Sequence, residues 1–117
     1  MRNPTERLRD ILDAIANIER YSVRGRGAFE QDELVRIWIL YHLQIIGEAA
    51  AQLGRVFHAA HPEVPWAQIV AMRNVLVHAY FGVDLNEVWR TVESDLPILK
   101  QQIEALTNQL QTQGGSE

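Results

Sequence analysis

The 117-residue chain has no cysteine. Disulfides and thiolate chemistry are therefore excluded, and the composition fits a reducing cytoplasm, which is the expected location. It also lacks a basic surplus: the formal net charge is −4. Broad, nonspecific nucleic-acid binding normally shows as a basic face, so that class is disfavoured, although an RNA-directed enzyme with a small local cluster is not. Lysine is nearly missing, since ten of the eleven basic residues are arginine and only Lys100 is lysine. Arginine carries the planar fork that suits phosphate. No stretch alternates at period two for long enough to be a strand. The N-terminus, MRNPTERLRD, has no apolar signal-like run. The longest apolar stretch, LVRIWILYHLQII at 34–46, is shorter than the ~20 residues a membrane span needs and is broken by Arg36, His42 and Gln44. It reads as a core helix, with no membrane partner.

What the chain does have is 47% hydrophobic residues, enough for a real core in one compact domain. The apolar spacing is helical almost throughout. Asn3-Pro4 opens a first helix as N-cap and first helical residue. Leu8, Ile11, Leu12, Ile15 and Ile18 form its stripe, and the glycines of SVRGRGAF (22–29) end it. A second helix is expected from about Gln31 to His61, apolar nearly all round from Leu34 to Ile46, as in a bundle centre or an oligomer interface. Gly47, Ala49, Ala50 and Ala51 would let another helix approach closely, and Pro62 ends the run. Pro65-Trp66 starts a third helix with Ile69, Val70 and Val77 as core candidates. Asp84 and Glu87 form a capping pattern for a fourth. Its stripe runs from Leu85 to Leu110, with a kink expected at Pro97. The fold expected is all-α: a compact four- to five-helix up-down bundle in one domain over residues 1–110, with 111–117 a disordered tail.

One stretch carries chemistry: RNVLVHAYFGVD, residues 73–84. Asn74 and His78 are i and i+4 and share a helix face. Arg73 and His78 are five apart, roughly 140° around a regular helix, so one regular helix cannot aim both at one small ligand. Either the helix ends before His78, which Gly82 and the pair Tyr80-Phe81 favour, or the residues work in a cleft that self-association could supply. A histidine there can act as acid or base near neutral pH. Arg73 could clamp a phosphate and stabilise developing charge. Tyr80 could donate a hydrogen bond or stack on a base. These parts suit phosphodiester cleavage by a ribose 2′-hydroxyl. The plainer alternative is a polar helix end, in which His78 satisfies carbonyls, Arg73 pairs with a carboxylate and Tyr80 packs.

RNVLVHAY resembles the R-x4-H-x-Y motif of HepT-type toxins, a branch of the HEPN superfamily. The likeness extends to IIGEAA (45–50), VPW (64–66) and YFGVDLNEVWRTVESDLPILKQQI (80–103), covering roughly residues 4 to 106. The resemblance implies a HEPN-type bundle that dimerises, with the motifs of two copies facing a shared cleft. It implies a metal-independent endoribonuclease acting on RNA, with transfer RNA a candidate, as the toxin of a type VII HepT/MNT toxin–antitoxin pair. It makes Arg73 and His78 the catalytic pair and Asn74 the supporting polar residue, with Tyr80 completing the motif. No cofactor and no metal are implied. The partner implied is an MNT-type minimal nucleotidyltransferase antitoxin that neutralises the toxin by moving AMP from ATP to Tyr80. An adenylyl group there would add bulk and negative charge beside Arg73. The alternative is a non-catalytic helical subunit that presents a ligand or substrate to a nucleotidyltransferase.

Other candidates are weaker. His58-x-x-His61 has metal-ligand spacing but no third ligand on the same turn, and reads as a pair of histidines near a helix end. Arg24 and Arg26, with Arg20, could touch RNA phosphates at a cleft rim, but Glu19 and Glu30 flank them. Glu48 either pairs with an arginine near the motif or faces solvent. Trp38, Trp66 and Trp89 are expected as core or interface anchors.

Overall fold

The computed structural model describes residues 3–79 and 82–115. Among the described residues the chain is helical and has no strand. It runs through α1 (Pro4–Ser22), α2 (Arg26–Gln31), α3 (Glu33–Ala60), α4 (Trp66–His78) and α5 (Leu85–Arg90), then a π-helical turn (Thr91–Asp95) and α6 (Leu96–Gly115). The all-α expectation holds. α3 lies at the centre, with α1 and α4 packed against it and α6 lying along α1.

α1 begins as its sequence dictates. The Asn3 side-chain oxygen accepts from the Glu6 N–H at 3.0 Å, and Pro4 fills the first position. Leu8, Ile11, Ile15 and Ile18 are buried and Leu12 packs at the margin. The glycine segment does more than end it. Gly25 turns the chain at φ 92°, a backbone conformation that disfavours a side chain, and the six residues of α2 follow. α2 buries Phe29 against Trp89, ring centres 5.4 Å apart, and Arg36 closes its end by donating to the Glu30 carbonyl at 2.7 Å. So short a helix has no apolar period to betray it.

Asp32 caps α3, its carboxylate accepting from the N–H groups of Leu34 and Val35. Val35, Ile39, Leu40, Leu43 and Ile46 are buried, while Leu34, Ile37 and Tyr41 are exposed. The helix is therefore not buried all round. By length and composition α3 could cross a membrane, yet half of that apolar window lies inside the protein. Gly54, at φ 84°, breaks its regular course six residues before its end. His58 lies just beyond the break. Its Nε2 donates to the Ala50 carbonyl at 2.7 Å, and its ring stacks on Trp66.

Asp84 caps α5 through the Asn86 N–H at 2.9 Å, whereas Glu87 pairs with Arg90 instead of closing a reciprocal box. The irregularity expected at Pro97 takes the form of the π turn just before it, where the Leu96 N–H reaches the Thr91 carbonyl five residues back. The wider turn accommodates a proline that cannot donate. Leu96, Leu99, Ile103 and Leu106 continue the buried stripe. Helix continues to Gly115, into the segment expected as a tail.

Candidate active site on helix α4

α4 starts where Trp66 is pinned by its indole N–H to the His61 carbonyl at 2.9 Å. Trp66, Ile69, Arg73 and Leu76 recur at helical spacing along its inner side, with Trp66 and Leu76 buried and Ile69 packed against the core. An arginine thus occupies a position that the helix period assigns to a core residue. Val77, a core candidate from sequence, is instead exposed, because it follows Leu76 by one residue and turns outward.

Arg73 is seated by a glycine. A Cβ placed on Gly47 would stand 2.2 Å from the Arg73 Cβ and 2.8 Å from its Cγ. Only a residue without a side chain lets α4 lie this close to α3 at that point. Beyond the seat, Arg73 Nη1 donates to Glu48 Oε1 at 3.0 Å, which resolves the alternatives for Glu48 in favour of pairing. The Arg73 Nε–H is buried and has no acceptor among the described residues. Gly47 and Glu48 belong to the small-residue run whose close approach was expected; the arginine as the residue approached was not.

The helix does not end before His78, as Gly82 and the aromatic pair had suggested. It is helical through His78, and the Ala79 N–H still reaches the Val75 carbonyl at 2.8 Å. The divergence of Arg73 and His78 is therefore real within one chain. Arg73 faces α3, whereas Asn74, Val75 and His78 are exposed on the outer side, Asn74 and His78 one turn apart. Asn74 also forms part of the wall of an open groove between α4 and the end of α3, shared with His58, Trp66 and Val70. Tyr80 lies outside the described residues.

The remaining candidates are separated from this arrangement or tied to other groups. The Arg24 guanidinium lies 4.9 Å over the Tyr21 ring. Arg26 is held by Glu30 at 2.7 Å and by the Asn86 side chain at the start of α5. Glu19 pairs across to Lys100 at 3.2 Å. His61 lies tilted against Phe57, ring centres 4.5 Å apart, and stands 3.9 Å from Glu63, so His58 and His61 are engaged with different groups. Trp66 and Trp89 are buried core anchors, and Trp38 donates to the Asn17 carbonyl at 2.7 Å.

A helical bundle whose central helix seats an arginine of its neighbour α4, with a histidine five residues further along α4, defines a class of small all-α proteins with an Arg–His motif. Comparison with known proteins narrows this class. Residues 11–106 match the family model described as Ribonuclease HepT-like, and the chain belongs to that family. It is 39% identical over 108 residues to the "Probable ribonuclease HepT" of Thermococcus cleftensis, covering 90% of this chain and 96% of that one. It is 34% identical over 107 residues to the "Putative RNase TTE0752" of Caldanaerobacter subterraneus subsp. tengcongensis, covering 91% and 96%. With the "Putative RNase MJ1380" of Methanocaldococcus jannaschii the identity is 33% over 98 residues, covering 83% and 90%. No solved structure matches the chain.

Proposed function

We propose that this chain is the ribonuclease toxin of a toxin–antitoxin pair, and that it cleaves RNA with Arg73 and His78 in a cleft between two copies. One observation carries the reading. α4 stays helical through His78, so Arg73 and His78 of one chain point apart, and joint chemistry takes a second chain. Val75 and Val77, about half exposed, flank His78 and provide apolar surface for such a copy. In the proposed reaction the ribose 2′-oxygen bonds to phosphorus and the bond from phosphorus to the 5′-oxygen breaks. The products are a 2′,3′-cyclic phosphate and a 5′-hydroxyl. His78 takes the 2′-hydroxyl proton or returns one to the leaving oxygen, and Arg73 holds the phosphate as charge builds on it. No metal or cofactor enters this scheme. Asn74, one turn from His78, orients it. Arg24, exposed beside Tyr21, is the more available of the two rim arginines, since Arg26 already has two partners.

Silencing completes the reading. An MNT-type nucleotidyltransferase antitoxin transfers AMP from ATP to the Tyr80 hydroxyl, releasing pyrophosphate and placing a phosphodiester close to the position meant for RNA. The experiment has three arms. Purified wild type should cleave single-stranded RNA and His78→Ala should not. Mixing Arg73→Ala with His78→Ala subunits should restore part of the activity if the cleft is shared. Co-expression with the nucleotidyltransferase should add AMP-sized mass steps that Tyr80→Phe abolishes. Equal cleavage by His78→Ala would remove the mechanism, and complex formation without any cleavage would favour the non-catalytic subunit.

A further inference from the structure

We infer that Glu48 is a positioning residue for Arg73, one that fixes the guanidinium so that its remaining N–H groups face the phosphate. The inference rests on the ribonuclease reading above and deepens it. Arginine offers five N–H donors in a rigid fork. Here the fork is constrained at both ends. The start of the side chain is wedged on Gly47, where no Cβ fits, and Nη1 is held by Glu48 at 3.0 Å. The Nε–H is buried, with no acceptor among the described residues, so it lies out of a substrate's reach. The part of the fork left for an incoming anion is its outer end, and the Arg73 side chain is 24% exposed.

Stability does not explain this geometry. Glu48 is 43% exposed, and a pair so open to water contributes little to folding. Burying an N–H with no acceptor is unfavourable. What the arrangement does supply is order: a long, flexible side chain has its rotamers settled before substrate arrives, which lowers the entropy lost on binding. The carboxylate also offsets the arginine charge, so the pair should hold a singly charged ground-state phosphate loosely. It should respond more strongly as further charge develops. Glu48 acts through Arg73 and needs no contact with RNA.

The test uses the full chain and steady-state cleavage of a fluorophore-labelled single-stranded RNA. Glu48→Gln keeps an acceptor oxygen and removes the charge; it should retain kcat within a few-fold and lower KM. Glu48→Ala releases the fork; kcat should fall on the order of 10- to 100-fold with an unchanged melting temperature, the size expected for a misplaced group. The Arg73 Nε–H resonance should exchange slowly in wild type and faster in Glu48→Ala. Wild-type kcat in Glu48→Ala, beside an inactive Arg73→Ala, would overturn the inference and leave the ribonuclease reading standing. Loss of activity in step with loss of melting temperature in both Glu48 variants would make the role structural and also overturn it. Absence of RNA cleavage by wild type would sink the reading itself, and the inference with it.

Discussion

α1 and α4 both pack on α3, yet they sort their residues differently. In α1 the apolar residues lie on one side and the charged ones on the other, with an asparagine cap and a proline where the helix rules place them. In α4 an arginine lies on the inner side between Ile69 and Leu76, while Val75 and Val77 lie outside. α1 follows the pattern that stability favours. α4 breaks that pattern at Arg73, and a glycine on the neighbouring helix accommodates the break. Departures from local rules concentrate at functional sites, and here they fall on the motif.

The comparison can be broken by substitutions that move activity and stability separately. The largest effect is expected for His78→Ala on α4: RNA cleavage should fall on the order of 10²- to 10⁴-fold, the usual contribution of a positioned acid or base. Its denaturant midpoint should not move, because His78 is exposed. The reverse is expected of Ile11→Ala on α1. Ile11 is fully buried, so urea unfolding should show a loss of about 2–5 kcal/mol, with cleavage per folded molecule unchanged. An Ile11→Ala protein with native stability would mean that α1 is not the core element described here.

Gly47→Ala sits between these two and should affect both quantities. Helix propensity alone favours alanine by about 1 kcal/mol. The clash with Arg73 outweighs this, and a net loss of roughly 1–3 kcal/mol is expected, as for other overpacked sites. Cleavage should fall further than the lost folded fraction explains, because the new methyl displaces Arg73 from Glu48. A stabilised, fully active Gly47→Ala would contradict the seat. The smallest effect belongs to Asn3→Ala, which removes the α1 cap. A loss of about 1 kcal/mol in thermal or urea unfolding, with no change in cleavage, is the expected outcome.

Much of the architecture can be read from residues close in sequence. The Asn3 and Asp84 caps, the end of α3 before Pro62 and the irregularity ahead of Pro97 each depend on a few neighbouring side chains. α2 escapes such a reading because it places just one residue, Phe29, in the core. Gly54 also escapes it, since a single glycine in an apolar helix leaves no mark on the period. Val77 keeps helical spacing with Val70, but the inner face follows Ile69, Arg73 and Leu76, so the apolar period alone points one residue off. Leu34, Ile37 and Tyr41 looked buried for the opposite reason: an all-round apolar helix does not say which side meets solvent.

The sequence by itself determined that the protein is helical and where α1, α4 and α5 begin, and that Arg73 and His78 would point apart on a regular helix of 3.6 residues per turn; that α4 stays regular through His78 was decided by the structure. The motif letters also indicated the family. Only the tertiary structure decided that Arg73 lies inward on Gly47 with Glu48 holding its fork. That contact joins residues 25 apart, and it depends on how closely α4 comes to α3. Helix phase is a local property of the backbone, whereas a close helix approach exists only once two faces have met, so the second could not be read from the first.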